Sequence, residues 1–106
     1  MPLAAIPQLF QPTVVGLYAL AHRVVLAPLT RFRAQPDGVP GPHAATYYAQ
    51  RAAVPGTLLI SEATFIAPFA GGYKNVPGLW SDAQVEGWKR VSPPEAWLGM
   101  GNERGC

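Results

Sequence analysis

Residues 24–34 read Val-Val-Leu-Ala-Pro-Leu-Thr-Arg-Phe-Arg-Ala, an apolar run cut by Pro28 and followed at once by a hydroxyl and two guanidinium groups. So short and apolar a run reads as a buried strand, with its polar groups at the C-terminal end. In parallel α/β folds ligands collect where strands finish, because helices and neighbouring strands cover everything earlier. A candidate site is therefore expected just after Leu29.

A second run of the same kind follows. Residues 57–66, Thr-Leu-Leu-Ile-Ser-Glu-Ala-Thr-Phe-Ile, are apolar on both faces at first and turn polar at Ser61, Glu62 and Thr64. Between the two runs, residues 43–53 are alanine-rich, place Ala44, Tyr47, Tyr48 and Ala52 near one helical face, and are stopped by Pro55-Gly56. Pro42 can open that helix, where a missing N–H costs nothing. Strand, helix, strand implies a right-handed crossover, so residues 24–29 and 57–63 are expected side by side in parallel.

The remaining segments frame this unit. Residues 9–15 and 19–29 are extended candidates separated by Gly16-Leu17-Tyr18, with Pro7 and Pro12 confining the first to an edge, so a hairpin leading into the longer strand is expected. Residues 35–42 carry turn chemistry at nearly every position, and residues 68–80 form a long loop with Gly71-Gly72 and Pro77-Gly78. Ser81-Asp82-Ala83-Gln84 matches a capping box. The helix it opens would place Val85, Trp88 and Val91 on one face and pair Glu86 with Arg90. Ser92-Pro93-Pro94 ends it, and residues 92–106 read as a loose tail.

The chain has 106 residues, 49% hydrophobic and 13% charged, which suits one small domain, and its 11 Gly and 12 Pro imply short elements joined by ordered loops. Eight Lys and Arg against six Asp and Glu leave a charge of +2, too small and too scattered for a nucleic-acid footprint. The lone cysteine, Cys106, builds neither a disulfide framework nor a metal site. The first ten residues lack the pattern of a secretory signal, and no apolar run reaches the roughly 18 residues of a membrane span. A soluble, cytoplasmic protein without membrane or nucleic-acid partners and without a metal is expected.

Several residues are candidates for chemistry. Thr30 either caps its own loop or hydrogen-bonds a ligand carbonyl or ring nitrogen. Arg31 and Arg33, with His22 and Arg23 upstream, form either a solvated rim or a phosphate or flavin contact. Glu62 requires a partner if buried, and a structural ion pair with Arg31 or Arg23 takes precedence over catalysis. His43 reads as an exposed helix start. Ser61, Ser81 and Cys106 lack the base or elbow context of a nucleophile, and Gly71-Gly72 lacks the spacing of a phosphate loop.

Six ordered motifs go further. Leu9-Phe10-Gln11-Pro12, the run from His22 to Arg31, Tyr47-Tyr48-Ala49-Gln50-Arg51-Ala52, the run from Pro55 to Ala63, Ala70-Gly71-Gly72-Tyr73 and Pro77-Gly78-Leu79-Trp80-Ser81-Asp82 resemble the amino-terminal part of the Old Yellow Enzyme family. That resemblance implies a TIM barrel that binds FMN non-covalently, takes hydride from NADPH or NADH, and reduces activated carbon–carbon double bonds of α,β-unsaturated carbonyl substrates. By resemblance Pro28, Leu29 and Thr30 lie against the flavin, the Thr30 hydroxyl bonding the ring near O4. Ala63 reaches the flavin through its backbone, and Phe32 and Tyr73 line the substrate side.

The resemblance ends at Val91. The third strand with its flavin-contacting glutamine, the His/Asn or His/His substrate clamp, the tyrosine proton donor and the phosphate-binding arginines have no counterpart in this sequence, so no catalytic residue is assigned. The expected fold is α/β: a β-hairpin plus the first two βα units of an eight-unit barrel, incomplete because such a barrel takes typically about 250 residues. Residues 1–91 would be this amino-terminal part and 92–106 an unrelated tail, as a frameshift, splice variant or truncated gene would leave. Such a fragment is expected to be inactive or to bind FMN weakly, or to serve as an interaction module, self-associating through its exposed strand edges.

Overall fold

The backbone alternates strand and helix in the expected order. The computed structural model describes residues 5–92. It contains β1 (Thr13–Val15), β2 (Tyr18–Leu20), β3 (Val25–Leu26), α1 (Ala44–Arg51), β4 (Leu58–Leu59) and α2 (Asp82–Val91), with 3₁₀ turns at Gln8–Phe10 and Pro68–Ala70. The tail expected over residues 92–106 lies outside the described residues except for Ser92.

β1 and β2 form the hairpin, antiparallel with Val15 opposite Tyr18, so the turn is only Gly16-Leu17. Gly16 has φ +59° at the first turn position, where glycine opens a two-residue hairpin without a Cβ penalty. Both extended candidates are shorter than expected: residues 8–10 close a 3₁₀ turn before Pro12, and residues 19–29 are not one strand but β2 and β3, which lie in separate sheets. The hairpin docks on the start of β4: Ala21 N–H donates to Gly56 O at 3.0 Å. Gly56 has φ +80°, and a Cβ there would lie 2.6 Å from the Ala21 Cβ, so this approach requires glycine.

β3 and β4 pair in parallel, Val25 with Leu58 and Leu26 with Leu59. The pairing is as expected but far shorter than residues 24–29 against 57–63. Its last backbone bond is Ile60 N–H to Leu26 O at 3.0 Å. Pro28 has no N–H to continue the ladder, and the chain after β4 diverges to bridge Phe65 with Gly78. Nor is the pair deeply buried: Val24, Val25 and Ile60 are exposed and Leu26, Leu58 and Leu59 half-buried.

His22 fastens the entrance of this pair. The Thr57 hydroxyl donates its single proton to Val54 O at 2.7 Å, so at 2.8 Å from His22 Nε2 it accepts. The proton therefore sits on Nε2, and the bare Nδ1 accepts from Val24 N–H at 3.1 Å. A neutral imidazole thus joins the start of β3 to the start of β4.

α1 begins after Pro42 as expected, with His43 at its N-cap, and buries Tyr48. α2 carries the complete capping box: Ser81 Oγ accepts from Gln84 N–H, and the Gln84 side chain accepts from Ser81 N–H. The buried face differs from the expected Val85, Trp88 and Val91. Gln84 and Gly87 are buried, Val85 is exposed, and Trp88 and Val91 are half-buried. Close packing is the reason, since a Cβ on Gly87 would lie 2.7 Å from Pro40 Cδ and 2.9 Å from Val39 Cγ1. Glu86 pairs with Lys89 at 2.9 Å, not with Arg90. The buried apolar residues are Leu20, Ala34, Val39, Tyr48 and Val76, a core lying mostly between the loops and helices.

Candidate functional site

Beyond Leu26 and Ile60 the two chain segments are joined by side chains instead of backbone. Arg31 Nη2 donates to Glu62 Oε2 in an ion pair whose carboxylate side is only 7% exposed. The same nitrogen donates to Tyr48 Oη at 3.1 Å, and Tyr48 Oη also accepts from Glu62 N–H at 3.2 Å. Arg31 Nε turns back to Leu29 O at 3.2 Å. The guanidinium carbon stands 3.8 Å from the Tyr47 ring centroid and 5.2 Å from that of Tyr48. Arg51 lies 4.0 Å from the Tyr47 ring as well, so α1 supplies an aromatic seat for two cations.

The electrostatics follow from this packing. Burial raises the Tyr48 phenol above its ordinary value of 10.0, partly opposed by the Glu62 backbone bond and the Arg31 charge, so Tyr48 stays protonated. The ion pair was one of the two partners open to Glu62 in the sequence, and the structure selects Arg31 over Arg23. Arg23 instead turns toward Gln11 O and Pro12 O, both at 3.4 Å. Among the described residues Glu62 Oε1 is buried and accepts no hydrogen bond.

Around this clasp stand the residues singled out in the sequence. Pro28, Leu29 and Thr30 follow β3 and are exposed, and Ala63 follows Glu62 and is exposed. Thr30 makes no hydrogen bond among the described residues, so its hydroxyl does not cap its own loop. Phe32 and Tyr73, more than forty positions apart, meet edge to face with ring centroids 5.9 Å apart and planes at 67°. Phe32 holds φ +58°, a left-handed conformation that a bulky residue seldom adopts. Two groups were missed as site elements. Tyr48 was legible only as one residue of a helical face, and the reach of Gln84 beyond its capping box carried no signal at all.

Gln84 is fully buried. Its Oε1 accepts from Trp80 N–H at 2.8 Å and Ser81 N–H at 3.1 Å, and its Nε2 donates to Asp37 O at 2.9 Å. It locks the loop after Arg33 to α2. Gly38 O accepts from Gly78 N–H at 2.8 Å, and Trp88 Nε1 donates to Gly78 O at 3.1 Å, completing the cap.

Two parallel strands that lead into exposed residues, with a helix between them in sequence, form a parallel β-α-β unit. Residues 8–93 match the NADH:flavin oxidoreductase / NADH oxidase family, and the chain belongs to that family. It is 58% identical over 85 residues to the NADP-dependent oxidoreductase lnbE of Aspergillus flavus, covering 80% of this chain and 22% of that protein. It is 55% identical over 85 residues to the chanoclavine-I aldehyde reductase fgaOx3 of Penicillium roqueforti, covering 80% of this chain and 23% of that one. Among solved structures, the Old Yellow Enzyme homologue of Zymomonas mobilis superposes with a TM-score of 0.75 at 46% identity, over 91% of this chain and 26% of that chain. The fold matches a fragment of the Old Yellow Enzyme barrel, and the chain spans about a quarter of the length of these relatives.

Proposed function

We propose that the protein is an FMN-dependent NAD(P)H oxidoreductase of the ene-reductase type, to which this chain contributes one face of the flavin site. FMN would supply the hydride relay, accepting hydride from NADPH or NADH and delivering it to the activated double bond of an enone or enal. Pro28 and Leu29 offer a rigid apolar platform for the ring. Thr30 offers a free hydroxyl to hydrogen-bond the ring near O4, and Ala63 offers its backbone. Phe32 and Tyr73 form an apolar wall on the substrate side. The observation that carries this reading is the Thr30 hydroxyl, exposed and unpartnered among the described residues at the end of a parallel strand.

The same exposure favours a second statement, about the 106-residue chain alone. With Leu29, Ile60 and Phe32 each 44% exposed or more, the chain presents a single flavin face. It therefore binds FMN weakly, does not turn over, and leaves the edges of β3 and β4 free to pair with a second copy. Purified chain mixed with excess FMN, NADPH and an enone tests both statements. The expected result is weak FMN binding without NADPH oxidation, and a stoichiometric yellow complex with turnover would refute the second. A monodisperse monomer in light scattering would refute edge pairing.

A further inference from the structure

The backbone ladder between β3 and β4 stops at Leu26 and Ile60, yet the proposed flavin contacts, Thr30 and Ala63, lie several residues beyond it. Among the described residues no backbone hydrogen bond joins residues 27–31 to residues 61–64. What joins them is Arg31, adjacent to Thr30, bonded to Glu62, adjacent to Ala63, with Tyr48 Oη accepting from both sides at 3.1 and 3.2 Å. The Arg31 Nε bond to Leu29 O folds the segment so that Thr30 sits at the apex of a small side-chain-closed turn.

We infer that Arg31, Glu62 and Tyr48 are positioning residues for the flavin, a clasp that sets Thr30 and Ala63 in register with one another. The inference rests on the flavin reading proposed above and adds the residues that make it geometrically possible. None of the three needs to touch the ring. Arg31 is committed to Glu62, Leu29 and Tyr48, with Tyr47 beneath its guanidinium, so it acts as a rigid fork and not as a free cation. Tyr48 remains a neutral phenol, able to accept from a guanidinium and an amide at once. Contacts to a ligand are only as well placed as the side chains that support them. Removing hydrogen bonds that support the protein ligands of a bound metal typically costs about tenfold or more in metal affinity, and an effect of the same order is expected for the support of Thr30 and Ala63.

The test is an NMR titration of the full 106-residue chain with FMN up to millimolar concentration, following the Thr30 and Ala63 amides. The Trp88 indole N–H, bonded to Gly78 O away from the clasp, serves as the fold control. In the wild-type chain both amides are expected to shift with one common Kd. In Tyr48→Phe and Glu62→Gln, Kd is expected to rise about tenfold and the two amides to lose their common response, with the Trp88 signal unchanged. Variants that bind FMN with the wild-type Kd and the wild-type shifts overturn the clasp and leave the flavin reading standing. A wild-type chain whose Thr30 and Ala63 amides ignore FMN overturns the flavin reading and the clasp with it. Should Glu62→Gln lose its fold, Tyr48→Phe, which removes one hydroxyl and keeps the ion pair, decides by the same criteria.

Discussion

The clasp around Arg31 and the cap around Gln84 each bind segments distant in sequence through side-chain hydrogen bonds, but with opposite chemistry. Gln84 is neutral and sealed, and its amide uses its oxygen twice, on the Trp80 and Ser81 backbone, and its nitrogen once, on the Asp37 carbonyl of a distant loop. The Arg31–Glu62 pair is charged and sits at a rim, with Arg31 20% exposed and one Glu62 oxygen accepting nothing among the described residues. A neutral, satisfied network is suited to stability alone, because burying it leaves no charge uncompensated. A charged one is costlier to bury, and here it sits where the backbone ladder has run out and where the candidate ligand contacts begin. The difference separates the part of the chain that holds the fold from the part that supports the proposed flavin contacts.

Removing one partner from each network should break the comparison most strongly. Arg31→Ala leaves the Glu62 carboxylate buried and unpaired, which costs about 3–5 kcal/mol in a urea titration followed by circular dichroism. Gln84→Ala orphans the Trp80 and Ser81 amides and the Asp37 carbonyl, and is expected to cost about 3 kcal/mol. Repeating both titrations in high salt sharpens the contrast: the partly exposed Arg31 network loses part of its coupling, and the neutral Gln84 network does not. Equal salt responses would show that the two networks are not different in kind.

Alkali should act on the clasp and spare the cap. Because the folded Tyr48 phenol is raised above its unfolded value of 10.0, its contribution is complete below pH 10.0 and is lost as pH rises through the folded value. Tyr48→Phe should flatten that alkaline loss of stability, and an unaltered alkaline limb would contradict a buried phenol. The smallest effect is expected for Lys89→Ala, since its pairing with Glu86 is fully on the surface of α2. A change of under about 0.5 kcal/mol in the same assay is expected.

Much of this architecture is legible in the sequence. Gly16 marked the hairpin turn, Pro42 and Pro55-Gly56 bracketed α1, and Ser81 with Gln84 marked the start of α2, all through chemistry acting within a few residues. Glu62 near the end of an apolar strand announced that it needed a cation. The strand lengths were not legible, because apolar character alone does not say how far a partner's backbone stays within hydrogen-bond reach. The buried face of α2 was misread for a related reason. Helical periodicity favours Val85 and Trp88, whereas the loop at Val39 and Pro40 comes so close that only Gly87 fits beneath it.

By itself, then, the sequence determined the order of elements, the caps and turns, the parallel pairing of β3 with β4 and the family to which the chain is assigned, because each depends on local backbone preferences or on ordered motifs. Tertiary structure alone decided which arginine Glu62 takes, that Tyr48 closes the clasp, that Gln84 reaches Asp37, and that Phe32 meets Tyr73. Those contacts join residues between 14 and 47 positions apart and depend on how the helices and loops pack against one another. Side-chain hydrogen bonds act over about 3 Å, so their partners are settled only when the fold has brought them that close.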